Sequence, residues 1–166
     1  MIKKLISFLS LLLLSNCQDG PRAVFNEEFV RANPKKELPF EKLIGEYILD
    51  KDSKRRYTIT YNDTIKLTIK KDSTFIAENY LDYKTDSLRL KKLEGKLLYT
   101  NKFKESFLNF RSRDIDFNGG GGFEIYYRKK DSVIALYVYT PFIPATKENN
   151  MKFREGDYLR YIKIDQ

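Results

Sequence analysis

The sequence predicts an all-β domain, an antiparallel up-and-down β-barrel of about eight to ten strands behind a short N-terminal tether. Two patterns predict it. After Leu43, apolar residues recur at every second position through most of the chain, and short polar turns separate each run from the next. No long stretch carries the three-to-four-residue apolar spacing of an amphipathic helix.

Taken in order, Gln18–Pro39 reads as tether, punctuated by Gly20-Pro21, Asn33-Pro34 and Leu38-Pro39. Within it, residues 26–31 are expected to make one helical turn with Asn26 as N-cap. Residues 39–43 form a second short turn closing one end of the domain. Leu43, Tyr47 and Leu49 share a face of the first strand, with Glu46 and Asp50 opposite. Tyr57, Ile59 and Tyr61 alternate with Thr58, Thr60 and Asn62, and Ile65, Leu67 and Ile69 with Lys66, Thr68 and Lys70. The Asn62-Asp63 step between these runs predicts a hairpin over 56–70.

Ser73–Tyr80, Leu93–Thr100 and Ser106–Arg111 continue as strands, with a loop at 84–87. Phe123, Ile125 and Tyr127 alternate with Glu124, Tyr126 and Arg128. Ser132–Thr140 is apolar on both faces, as in a strand covered on both sides or lining a pocket. Pro141–Asn150 is a loop, and 157–165 is the closing strand. Lys-Asp-Ser recurs at 51–53, 71–73 and 130–132. Asp and Ser favour turns by bonding to nearby backbone, so the repeat reads as turn chemistry and not as a binding motif.

Composition narrows function by exclusion. The 166 residues hold no His and one Cys, Cys17. That removes the commonest general base and metal ligand, and with them Ser–His, Cys–His and Cys/His zinc sites. No cofactor or metal is expected, and an enzyme is the weakest reading. The net charge of +8 reads chiefly as a solvated surface, and no basic cluster interleaved with aromatics points to nucleic acid.

The first residues set the address. Lys3 and Lys4 precede the uncharged, Leu-rich run Leu5–Leu14. Such a run is too short for a bilayer core of ~30 Å, which takes ~20 helical residues, but it suits an export signal. Ending in Leu14-Ser15-Asn16-Cys17, it resembles a bacterial lipoprotein signal, and the resemblance implies cleavage before a lipidated Cys17 carrying palmitate-type acyl chains. Residues 1–16 are then signal peptide, 17–39 tether and 40–166 barrel. Losing the two leader lysines takes the net charge to +6. Gln18 after the lipid site implies the outer membrane of the envelope.

Gly45-Glu46-Tyr47 at the first strand, Lys70–Phe75 across a strand–turn–strand passage and Leu159-Arg160-Tyr161 in the last strand resemble the lipocalin-like family. Tyr47 stands where that family has Trp. The resemblance implies a structural seam in which Gly45 and Tyr47 meet Arg160, the guanidinium lying over the ring. Such a stack is worth ~0.5–2 kcal/mol.

Tyr57, Tyr61, Tyr127, Tyr137 and Tyr139 are candidates for the barrel interior, as a packed core or as a polar-tipped pocket for a small apolar ligand. Asp114 and Asp116 read as a solvated edge, and Asn118 with Gly119–Gly122 as a wide hairpin loop. The expected function is non-catalytic binding of a small apolar or amphipathic ligand. The alternative is an envelope protein–protein module (an inhibitor, immunity or assembly factor) using exposed Tyr80, Tyr126 and segment 141–156.

Overall fold

The computed structural model describes residues 28–32, 38–56, 59, 64–82, 87–102, 105–112, 122–148 and 150–164. Among them the elements run β1 (Phe29–Arg31), α1 (Phe40–Leu43), β2 (Gly45–Leu49), α2 (Lys51–Arg56), β3 (Lys66–Ile69), β4 (Thr74–Asp82), β5 (Ser87–Lys102), β6 (Glu105–Arg111), β7 (Phe123–Arg128), β8 (Ile134–Thr140) and β9 (Asp157–Lys163). From β2 to β9 every strand pairs antiparallel with the next, and β9 returns to pair with β2. Eight strands thus close into the up-and-down barrel that the alternation predicts.

β1 is a ninth strand outside that ring. It pairs with β7 through Phe29↔Arg128, Val30↔Tyr127 and Arg31↔Tyr126. β6 engages β7 only at Phe107↔Glu124 and Leu108↔Phe123, which leaves the rest of the β7 edge for β1. Residues 29–31 are therefore extended, correcting the helical turn expected there. Phe29 and Ala32 are buried, so this portion of the segment read as tether packs on the barrel.

The hairpin expected over 56–70 is also corrected. Both edges of β3 are taken, by β2 (Gly45↔Ile69 to Ile48↔Lys66) and by β4 (Lys66↔Glu78 to Ile69↔Phe75). Arg56 ends α2, and residues 57, 58 and 60–63 lie outside the described residues. Asp50 explains the helix. Its carbonyl accepts from the Lys54 N–H (3.0 Å) and its Oδ1 from the Ser53 N–H (2.8 Å), the two bonds of an N-cap.

Two of the three Lys-Asp-Ser stretches build the same turn. After β3, Asp72 Oδ1 accepts from the Thr74 N–H (3.1 Å) while Ser73 has φ +59°. After β7, Asp131 Oδ1 accepts from the Val133 N–H (3.3 Å) while Ser132 has φ +59°. The carboxylate, by holding the backbone two residues on, stabilises a serine conformation that is otherwise uncommon. At 51–53 the same three residues open α2 instead.

α1 stoppers one end of the barrel. Leu38 and Leu43 are buried in the main core and Phe40 packs against it, as expected of a turn closing the domain. The Tyr99 hydroxyl donates to the Leu38 carbonyl (3.0 Å) and the Tyr47 hydroxyl to the Leu43 carbonyl (2.7 Å), fixing the plug to β5 and β2. Gly45 then enters β2 at φ +138°, a conformation that side chains disfavour. At the opposite end lie α2 and the connection from β8 to β9.

Candidate functional site

Strand alternation sorts the chain into an inner and an outer face. Inside, rings from four strands meet in series. Phe75 lies 4.9 Å from Phe110, Phe110 4.6 Å from Phe123, and Phe123 5.7 Å from Tyr161, measured between centroids. The first two pairs are edge-to-face, the arrangement that ring quadrupoles favour. Leu49, Ile65, Tyr80 and Leu81 continue the inner cluster on the strand halves nearer α2. Tyr127 is half-buried against this cluster. Tyr57 and Tyr61 lie outside the described residues, as do Cys17, Asp114, Asp116 and Gly119–Gly121.

Tyr137 and Tyr139 are corrected. In β8 it is Ile134, Leu136 and Val138 that join the inner cluster, while Ala135 and Tyr137 form a second one with Phe29, Tyr126 and Tyr158, against which Tyr139 packs. β8 is thus covered on both faces, the first of the two options its composition allowed. Tyr80 and Tyr126 are buried, not exposed as the protein-contact reading expects.

The expected seam exists between β2 and β9, but Arg160 and Tyr47 do not meet across it. The register places Leu49 opposite Tyr161 and Tyr47 opposite Lys163. Arg160 therefore sits beside Asp50, on the face opposite Tyr47. Its guanidinium lies 4.9 Å from the centroid of the Phe29 ring, and Arg128 approaches the same ring at 5.7 Å. An aromatic residue of β1 thus takes the place expected of Tyr47.

Around Arg160 a polar knot is built into this apolar wall. Arg160 Nε donates to Asp50 Oδ2 (2.5 Å), and Nη2 pairs with the same oxygen. The Arg160 backbone N–H donates to Ser53 Oγ (2.9 Å), and its carbonyl accepts from the Asp50 N–H (3.0 Å). α2 is thereby fastened to β9. Burial works against the Arg160 charge, but Asp50 and the Tyr137 hydroxyl outweigh it and hold the pKa above the ordinary arginine value. Burial pushes the Tyr137 phenol up to about 12, a shift that Arg160 opposes by hydrogen bonding.

The other buried carboxylates are also partnered. Glu124 accepts from the Tyr126 hydroxyl (3.1 Å) and the Tyr158 hydroxyl (3.5 Å), with Arg31 at 3.8 Å. Asp82 accepts from Arg89 Nη2 (3.0 Å). These pairings fit structural roles, since a charge taken out of water needs such partners. Sequence reading missed Phe29, Ser53 and Glu124. The cap spacing Asp50-x-x-Ser53 is the one signal that points to the knot.

A different surface appears between β8 and β9. Phe142, Met151 and Phe153 are exposed, and the two phenylalanines touch edge-to-face at 5.5 Å. No known protein-family profile, curated protein or solved structure matches this chain.

Proposed function

We propose that the chain is a lipid-anchored protein of the bacterial envelope whose lipocalin-like barrel binds a small apolar or amphipathic molecule without chemical turnover. The observation that carries the reading is a closed barrel with an aromatic and aliphatic interior, stoppered at one end by Leu38, Phe40 and Leu43. The ring series through Phe110 and Phe123 occupies a portion of that interior. The ligand therefore belongs nearer α2, against Leu49, Ile65, Tyr80 and Leu81, where tyrosine supplies polarity and aliphatic groups supply transfer free energy of ~25 cal/mol per Å².

Native mass spectrometry of protein purified from envelopes tests this. A co-purifying apolar molecule, lost on Leu81→Arg with the far-ultraviolet circular dichroism retained, is the expected result. Protein that carries no such molecule and binds none from an envelope lipid extract defeats it. The anchor is tested separately, by radiolabelled palmitate incorporated into wild type but not into Cys17→Ser.

A further inference from the structure

We infer that the β8–β9 connection is a second membrane contact, an aromatic tip that docks, with basic α2 beside it, on an anionic lipid bilayer. Six large hydrophobic side chains are exposed among the described residues, and three of them, Phe142, Met151 and Phe153, fall in this one connection. The segment has a built backbone. Ile143 and Arg154 exchange N–H···O bonds of 2.9 and 3.1 Å, and the Met151 N–H donates to the Thr146 carbonyl (2.7 Å). At its base, a Cβ on Gly156 would lie 2.0 Å from the Tyr139 hydroxyl, so the chain passes close under that ring.

Asn150 and Met151 both hold positive φ, +55° and +59°. Consecutive non-glycine residues in that region cost on the order of 1–3 kcal/mol each. Here the strained turn carries an exposed methionine.

Charge selects the occupant. Arg56 pairs with Asp157 at 2.6 Å, joining α2 to the foot of the connection. Segment 141–157 holds three basic and three acidic residues, with Lys147, Lys152, Glu148 and Glu155 exposed, so the basic excess comes from α2, four basic residues to one acidic, with Lys51 and Arg55 exposed. Rings and a thioether beside lysines suit the boundary between acyl chains and anionic headgroups. Each basic residue near such a surface adds ~1 kcal/mol.

The tether reaches. The chain enters at the α1 end, where Phe29 pairs with Arg128, and the tip lies at the other end. Residues 18–27 span up to about 35 Å when extended, against about 31 Å for the extended run from Val133, level with Arg128, to Phe142. The tip and an acylated Cys17 can thus engage one bilayer. Only this reach rests on the anchor reading.

The chain has no Trp, so Phe153→Trp is a unique reporter. It is placed in acylated protein reconstituted into vesicles, and in the Cys17→Ser full chain added from outside, with exposed Leu98→Trp as control. With phosphatidylglycerol vesicles, Trp at 153 is expected to shift to shorter wavelength and to be quenched by brominated acyl chains, while Trp at 98 does neither. Phosphatidylcholine and high salt should abolish the effect for the Cys17→Ser chain. Adding Phe142→Ser should weaken its vesicle partitioning about tenfold, ~1.4 kcal/mol. An unresponsive Trp at 153, an equal response at 98, or a shift produced only by delipidated envelope protein overturns the proposal. Response in the Cys17→Ser chain with palmitate labelling absent defeats the anchor and leaves the tip standing.

Discussion

Arg160 shows how one side chain can hold three elements together. It pairs with the carboxylate that caps α2, supports the Tyr137 phenol in β8 and lies over Phe29 of β1. Removing one partner strands a buried charge, which costs ~3–5 kcal/mol. Asp50→Asn should lower unfolding stability by about that amount in a urea titration, while an Asp50→Leu/Arg160→Met pair loses less. Tyr137 carries a pH signature. Its folded pKa of about 12 lies above the ordinary 10.0, so the unfolded chain releases this proton first. The contribution is complete below pH 10 and is lost as pH rises through about 12. Tyr137→Phe should flatten that alkaline decline, read as the pH dependence of the urea midpoint. The place of Tyr137 beside Arg160 was not legible in the residues alone, because both faces of 132–140 are apolar and nothing local says which one looks inward. The parity was decided at a distance, by the β2–β9 register and by β1 covering the outer face.

Among elements, β7 was the most readable, since its alternation and its closing turn agree. β5 was read short. It runs unbroken from Ser87 to Lys102 and passes Gly95, which supports a different constraint from a turn. A Cβ at Gly95 would stand 2.1 Å from the Arg111 carbonyl oxygen and 2.7 Å from the Phe75 ring. Gly95→Ala should therefore destabilise by ~1–3 kcal/mol through overpacking, with a loss of near-ultraviolet signal as the Phe75–Phe110 contact is disturbed. α2 was not legible because a six-residue polar segment, KDSKRR, has no apolar stripe. Its helix exists because Asp50 caps it and buried Ser53 meets the β9 backbone. The Lys-Asp-Ser recurrence was legible as turn chemistry at two positions and misled at the one where a helix begins.

For the whole molecule, the closed barrel followed from pattern, whereas the outlying β1 did not. β1 is three residues long and rests on Phe29, whose partners come from β7, β8 and β9. Ring closure makes the fold indivisible, because β9 serves β8 and β2 together. Ending the chain after Glu155 removes β9 and opens two edges, so no cooperative thermal transition should remain in calorimetry. Retention of a sharp transition would show that an open sheet suffices. The β2–β9 pairing also has a bearing on timing. The strand that shuts the ring is synthesised more than a hundred residues after its partner β2. Until β9 has been made the nascent polypeptide holds no finished tertiary structure, so the whole barrel waits on one late pairing.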